Sequence, residues 1–491
     1  MVDASISVLL LLALQSGSAL AAGLQVDMNS AASIKAAARD VAEDLLTYYH
    51  GDEPGQIPGI LPGPPPAGDY YWWEGGALWG TMIDYWHSTG DDTYNDITTE
   101  AMLWQTGPPV NAYMPINWTI SLGNDDQGFW GMSAMLAAEC NFPNPPPDKP
   151  QWLELAQAVF NTQASPERHD SSCGGGLRWQ IPLANIGYDY KNTIANGCFF
   201  NLGARLARYT DNTTYSDWAE KTWDWLTGVG FIDDDMNVYD GAHTYANCTD
   251  IYKAQFSYNH AVMLQGAAFM YNFTTGDDQA RWLDRVTKLT RRTIEVFFYD
   301  GPIVEISCEL EDRVQCKTDM LSFKGYTHRW MAQTAQLVPT LHAEIMATLK
   351  NSTTGAVKAC SGGANGRTCG FRWNTGGFDG LVGAGQQMSA LAALTSLLVD
   401  LESTVVTPPL TNNTGGTSVG NPLAGGNPNP FPEKPDVTHQ DRVGAGFLTV
   451  LILGSFIGAL AWISFGWGES SASPVVRRKG KTIQRAFGGG K

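Results

Sequence analysis

Positive charge is what this sequence is shortest of. Its 491 residues hold 31 Lys and Arg against 49 Asp and Glu, a formal net charge of −18, and only 16% of them are charged at all. Such a balance repels phosphate backbones and argues against nucleic acid as a partner. Metal-ligand spacing is missing too. No C-x-x-C pair occurs and no His pair has ligand spacing with a Cys partner, so a zinc site is not expected. The eight histidines form no catalytic pattern, and His260 and His328 read as structural. Strand-like alternation is scarce, which leaves little for a β architecture.

What is present divides the chain into five parts. Val8 to Leu14 is apolar and Ala19-Leu20-Ala21 supplies a small-x-small cleavage pattern, so residues 1–21 read as a signal peptide, with Asp3 where a Lys or Arg is usual. Sequons beginning at Asn117, Asn212, Asn247, Asn272, Asn351 and Asn412 fit a secretory route. The eight cysteines suit an oxidising compartment, with Cys308–Cys316 and Cys360–Cys369 as short-loop candidates for disulfides. Residues 443–467 are apolar, uncharged and long enough to span a bilayer. The basic stretch 468–491 that follows is expected on the cytoplasmic side, leaving a single-pass protein with a lumenal or extracellular domain. A glycolipid-anchor signal is the rival reading, although it normally ends with its apolar run. Residues 403–442, rich in Pro, Gly, Asn and Thr, read as a flexible stalk. The globular domain is expected over 22–402.

Within that domain the apolar spacing is helical, in 30–49, 77–87, 129–139, 152–163, 197–209, 216–229, 257–271, 280–298 and 386–401. A turn phrase recurs between helices, at Thr89-Gly90-Asp91-Asp92, Thr210-Asp211-Asn212-Thr213 and Thr275-Gly276-Asp277-Asp278. Its chemistry ends one helix on a residue tolerant of positive φ and caps the next with Asp or Asn. Repeated helical hairpins build either a solenoid or a closed barrel. Polar, Gly-rich and aromatic segments between the helices favour the barrel, with a groove at one end.

The pair Asp125–Asp126, within Gly123-Asn124-Asp125-Asp126-Gln127-Gly128, carries the chemistry. Two adjacent carboxyls resist ionising together, so one keeps its proton beside the other's charge. That is the equipment for cleaving a glycosidic bond. The plainer reading is a helix start with acidic residues in its first turn. Asp189 and Asp319 are outside candidates for a groove, with solvent exposure the expectation.

Ordered motifs across the domain carry a resemblance: Tyr70-Tyr71-Trp72-Trp73-Glu74-Gly75-Gly76, the aspartate pair, Gly175-Gly176-Leu177-Arg178-Trp179-Gln180, Lys191-Asn192-Thr193-Ile194-Ala195-Asn196-Gly197, Phe256-Ser257-Tyr258-Asn259, Phe323-Lys324-Gly325 and Cys369-Gly370-Phe371-Arg372-Trp373. The chain resembles the fungal mannan endo-1,6-α-mannosidases of glycoside hydrolase family 76, of the cell-wall biogenesis type. The resemblance implies an all-α fold, an (α/α)6 barrel of helical hairpins, with retention of configuration and no metal or other cofactor. It implies Asp125 as nucleophile and Asp126 as general acid/base. Trp72, Trp73, Trp130, Tyr258 and Trp373 are candidates for stacking on sugar faces, and Gln127, Asn196, Asn259 and Lys324 for binding hydroxyls, each with a core or backbone-satisfying role as the alternative. The expected partners are α-mannan or the mannose core of a glycolipid anchor, with wall polysaccharide as a possible acceptor. A non-catalytic sugar-binding scaffold, or an (α/α)6 glycosidase of other specificity, is the competing reading.

Overall fold

The computed structural model describes residues 23–310, 316–401, 407–426 and 439–465. Twelve helices build the domain: α1 (Ala31–Leu46), α2 (Trp72–Thr89), α3 (Asn95–Trp104), α4 (Asn124–Glu139), α5 (Trp152–Gln163), α6 (Thr193–Thr210), α7 (Thr213–Gly228), α8 (Ser257–Phe273), α9 (Gly276–Phe297), α10 (Phe323–Leu337), α11 (Pro339–Ala359) and α12 (Ala384–Ser396). The even-numbered helices pack in a ring, α2 on α4, α4 on α6, and so on round to α12, which closes on α2. The odd-numbered helices lie outside them. This is the expected six-hairpin barrel.

Sequence decides which helix goes inside. Every residue of α12 is buried, and α4 is buried nearly all round. The outer α9 buries a single stripe, Trp282, Val286, Leu289, Thr290, Thr293 and Phe297, and leaves its charged face to water. The turn phrase does all the work expected of it only between α6 and α7; α3 starts after Tyr94 and α9 after Thr275 without a side-chain cap, and α8 ends on an extended Thr274. Gly90 (φ 76°) ends α2 and Asp211 (φ 54°) ends α6, after which the Asn212 side chain caps α7 by accepting the Thr214 N–H. Each occurrence joins an inner helix to the next outer one.

Several inner helices were harder to read. α2 begins at Trp72 and α4 at Asn124, each five residues before its apolar spacing becomes regular. Gly75 and Gly76 interrupt the pattern of α2 because the Trp130 ring lies against them; a Cβ on Gly76 would meet it at 2.9 Å. α10 buries Lys324, Thr327 and His328 among Phe323, Tyr326, Trp330 and Met331, so its buried residues do not follow an apolar period. The short α3 and the Thr- and Ser-rich α11 also give no clean stripe.

The loops at the end where inner helices begin carry a small antiparallel sheet. Its strands are β1 (Tyr190–Asn192), β2 (Gly241–His243) and β3 (Ile251–Tyr252), in that order, with Tyr190 opposite His243 and Asn192 opposite Gly241. The disulfide Cys173–Cys248 ties the Gly-rich loop before β1 to the β2–β3 connection. Cys308–Cys316 and Cys360–Cys369 close the two short loops expected of them. The even cysteine count does not extend to full pairing: Cys140 and Cys198 are buried thiols.

The stalk reading needs correction over residues 407–426. This segment is strapped to the domain. The Leu410 N–H donates to the Glu139 carbonyl (2.8 Å), Asn412 N–H to the Tyr209 carbonyl (3.0 Å) and Asn421 N–H to Gln157 Oε1 (2.6 Å). Ser418 Oγ accepts from Leu153 N–H, and Asn161 reaches the Pro422 and Ala424 carbonyls. Pro, Gly and Asn here serve an extended chain that finds its hydrogen bonds on the helices beneath, where composition alone suggests a free linker. Between this strap and α12 lies a short helix, α13 (Leu398–Leu401).

A separate unit contains α14 (His439–Phe465). Its stretch Arg442–Ser464 has a mean hydropathy of 2.2 and no buried residue, so by length and composition it can cross a membrane. The segments read as signal peptide (1–21) and basic tail (468–491) lie outside the described residues.

Candidate active site

The inner helices α2, α4, α6, α8 and α10 begin around a cavity of about 740 Å³, and Asp125 and Asp126 stand in its wall. Both belong to the first turn of α4, so the plain helix-start reading is also correct. Asp126 Oδ2 accepts the Gly123 N–H (2.6 Å) and Asp125 Oδ1 accepts the Asp126 N–H (3.0 Å). The strand-like pairing of Gly123 with Gln180 fixes this turn, through Asn124 N–H to the Trp179 carbonyl (2.8 Å) and Ile181 N–H to the Leu122 carbonyl (3.1 Å). Arg168 secures it further by donating to Asn124 Oδ1 (2.6 Å).

Glycine at 123 leaves room for both dyad carboxyls. A Cβ there would lie 2.2 Å from Asp125 Oδ1 and 2.8 Å from Asp126 Oδ2. Those two oxygens are therefore within about 5 Å of each other. Burial and the neighbouring charge push the Asp125 carboxyl well above its ordinary range. Burial pushes Asp126 up to about 7. Near neutral pH the dyad holds one proton between two carboxyls.

The rest of the wall is aromatic and acidic. Trp72, Trp73, Trp179, Tyr190 and Tyr258 line it, and Tyr258 lies flat on Phe323 with ring centroids 3.7 Å apart. Asp240 and Asp319 complete the acid set, and among the described residues no Lys or Arg lines the cavity. The Tyr190 hydroxyl donates to Asp240 Oδ2 (2.8 Å), and burial raises the Asp240 carboxyl above its usual range. Burial likewise pushes Asp319 up to about 6. Among the described residues no cluster of His, Cys, Asp and Glu is placed to hold a metal ion.

Of the residues picked from sequence, Asp125, Asp126, Trp72, Trp73 and Tyr258 meet in this cavity. Five others are corrected to the core. Gln127 donates to the Ala112 carbonyl (2.7 Å) and Thr162 Oγ1 (2.9 Å). Asn196 satisfies both the N–H and the carbonyl of Leu177, at 2.7 and 3.0 Å. Asn259 is fully buried and outside the cavity lining. Lys324 Nζ is buried in a pair with Glu309 (2.8 Å) and donates to the Phe371 carbonyl (2.7 Å). Trp373 packs on His328. Apart from Asn259, whose buried side-chain amide has no hydrogen-bond partner among the described residues, each is a polar or aromatic group that holds the loops in place rather than presenting itself to a ligand. Trp130 is also core, sandwiched between Trp72 and Tyr113 at 5.4 Å from each. Asp189 pairs with His243 at the surface (2.9 Å), away from the lining. Asp319, expected in solvent, is in the cavity instead. Asp240 and Tyr190 went unread because only the β1–β2 pairing, between segments fifty residues apart, brings them to the site.

A profile of glycosyl hydrolase family 76 matches residues 33–411, taking in every inner helix and the start of the strap. The chain belongs to that family. Among family 76 relatives, the mannan endo-1,6-alpha-mannosidase DCW1 of Saccharomyces cerevisiae is 44% identical over 446 residues, 90% of this chain and 95% of its own. The DFG5 enzyme of the same yeast is 40% identical, covering 90% and 94%. The crystal structure of Dfg5 from Chaetomium thermophilum, in complex with glucosamine, shares 56% identity and a TM-score of 0.78 over 81% of this chain and 97% of its own. An α-1,6-mannanase of Salegentibacter sp. HEL1_6, solved with α-1,6-mannotriose as an inactive variant with two consecutive aspartates changed to asparagine, shares the fold at 16% identity and a TM-score of 0.59, over 74% of this chain and 99% of its own.

Proposed function

We propose that this protein is a retaining, endo-acting α-1,6-mannosidase or mannosyl transglycosidase that works on mannan, or on the mannose core of glycolipid-anchored proteins, in fungal cell-wall biogenesis. The observation that carries the reading is the spacing of the dyad. Oxygens within about 5 Å leave no room for a water between carboxyl and sugar, as inversion needs, and suit a carboxylate that attacks the sugar directly. The names of the yeast relatives supply the linkage, and the inactive double-asparagine mannanase supports the choice of residues.

Asp125 is assigned as nucleophile and Asp126 as acid/base. In the first step an Asp125 oxygen bonds to the anomeric carbon, the glycosidic C–O bond breaks and Asp126 gives its proton to the departing oxygen. In the second, Asp126 takes the proton of an incoming hydroxyl as that oxygen displaces Asp125. Water as acceptor completes hydrolysis, and a sugar hydroxyl completes transfer. Trp72, Trp73 and Tyr258 offer faces for sugar rings. The protein acts from a single-pass membrane anchor formed by α14, on the lumenal or extracellular side.

Asp125→Asn and Asp126→Asn, assayed separately on an α-1,6-mannan oligosaccharide with and without an acceptor glycan, test this. Each is expected to lower kcat/KM by about 10²–10⁴-fold. Full activity in both would leave a sugar-binding scaffold or a different site. Product formed only when the acceptor is present selects transfer over hydrolysis.

A further inference from the structure

The cavity continues outward past its lining. Four large hydrophobic side chains stand exposed on the segments at its edge: Leu183 and Ile186 before β1, Tyr245 in the β2–β3 connection and Tyr252 in β3. Ile186 and Tyr252 belong to the cavity wall itself. Single exposed apolar residues are ordinary on a protein surface, but a group that extends a ligand cavity is not.

A row of rings connects inside to outside. Tyr190 lines the cavity, and its ring meets that of His243 edge-on, with centroids 4.9 Å apart. Tyr245 then lies nearly parallel to His243, again at 4.9 Å. It is 79% exposed, so the face turned away from His243 is open to water. Each ring in the row is held. The Tyr190 hydroxyl donates to Asp240 Oδ2 (2.8 Å), and His243 Nδ1 donates to Asp189 Oδ2 (2.9 Å). The Asp189 carbonyl accepts the N–H of Thr244, next to Tyr245 (2.7 Å). Tyr245 itself sits in a 3-10 turn (Thr244–Ala246). The chain returns through Asn247 (φ 48°) and Cys248 (φ 57°), where the Cys248 N–H donates to the His243 carbonyl (3.2 Å) and the Cys173–Cys248 disulfide ties the turn down. An exposed tyrosine ordinarily samples several rotamers. This one rests on a ring that is pinned to a carboxylate, on a cross-linked loop.

We propose that Tyr245, with Ile186 and Tyr252 at the cavity edge, forms an outer subsite for a hexose unit of the glycan chain that runs out of the cavity. The proposal rests on the endo-acting reading above, in which the substrate extends beyond the cleaved bond. A pyranose presents a face of C–H groups that packs on an aromatic ring, as Tyr245 offers. Its hydroxyls lie at the ring edge, and the Asp189 carboxylate accepts hydrogen bonds from such groups. The same carboxylate and a net charge of −18 disfavour an anionic ligand, which leaves a neutral glycan as the fitting class. A ring already fixed in place costs little to order when the sugar arrives. Because Tyr245 stands outside the lining that holds the dyad, its contribution is to affinity and not to bond breaking.

Tyr245→Ala and Tyr245→Phe, in the full-length protein, are assayed on the shortest α-1,6-mannan oligosaccharide that is cleaved and on chains several units longer. Every protein compared also carries Thr249→Ala, which removes the sequon at Asn247 from the same turn. In Tyr245→Ala the KM for long chains is expected to rise about 5- to 10-fold with kcat kept, so the preference for long over short chains falls by the same factor. Tyr245→Phe keeps the ring and is expected to keep the preference. Calorimetric titration of the same chains into Asp125→Asn protein, with and without Tyr245→Ala, is expected to show an equal loss in Kd. An unmoved preference, or equal losses on short and long chains, overturns the proposal. So does a loss confined to the KM of an added acceptor glycan, which would assign Tyr245 to the acceptor instead. Long chains that bind through Tyr245 but are not cleaved by the parent protein would overturn the functional reading alone, so the two failures are distinguishable.

Discussion

A carboxyl kept at an unfavourable protonation state costs stability, and the dyad allows that cost to be measured. Asp126 titrates at about 7 in the folded protein against about 4 in an unfolded chain. A raised folded value means that its contribution is fully present below the unfolded value and is lost as pH rises through about 7. Asp125→Asn removes the mutual repulsion and one buried acid. The variant is therefore expected to be inactive yet more stable than wild type at pH 7.5, by about 1–2 kcal/mol, with the advantage gone below about pH 4. Denaturant titrations at the two pH values check both ends. A second residue holds the opposite kind of interest. Lys191 is wholly buried and its Nζ donates to Asp170 (3.0 Å) and to the carbonyls of Ser172 (2.9 Å), Gly175 (2.7 Å) and Gly176 (3.0 Å). Lys191→Met takes the lysine donor from the Gly175 and Gly176 carbonyls, while Asp170 keeps Arg178 and Ser172 and the Ser172 carbonyl keeps the Gly175 N–H; it is expected to destabilise by about 2 kcal/mol and to loosen the loop carrying Trp179. Thermal unfolding and protease sensitivity near Cys173 report it. At this scale the sequence was half legible. The aspartate pair and three aromatics could be named from their motifs, whereas Asn196 and Lys324 sit in equally distinctive motifs for structural reasons. A motif marks a residue whose identity matters without saying whether a ligand or a backbone carbonyl makes it matter.

Among elements, a helix shows its pattern most plainly where one side meets water and the other does not, as in the outer α9. The α9 stripe is plain in sequence, while α10, with a buried lysine and histidine, has no stripe to find. Beginnings of inner helices are obscured for a related reason. Glycines at 75, 76 and 123 are poor helix residues chosen for close approach to a ring or to two carboxylates. The strap over residues 407–426 is the clearest element-scale correction, and it can be tested by truncation. A chain ending at Leu401 leaves the Glu139 and Tyr209 carbonyls without their strap partners and exposes the helix ends beneath. It is expected to lose about 2–4 kcal/mol relative to a chain ending at Pro430, which keeps wild-type activity within about 2-fold. Melting curves of the two truncated proteins, with activity on the same oligosaccharide, decide the matter.

For the molecule as a whole, closure of the ring was legible only through the repeated hairpin turns, since the α12–α2 contact joins the two ends of the domain and no local pattern encodes it. Closure has one further effect. Because each outer helix returns the chain, all six inner helices point the same way, and their first turns, from Trp72 to Ala384, gather at the cavity end. Each helix start carries about half a positive charge from its unpaired N–H groups. Together they place roughly three elementary charges of positive potential around a cavity with no basic side chain among its described lining residues. That nearly offsets Asp240, Asp319 and a dyad sharing one proton. The barrel backbone thereby acts as the counter-ion of its own active site, and a neutral sugar enters a chamber crowded with acids yet close to electrically balanced.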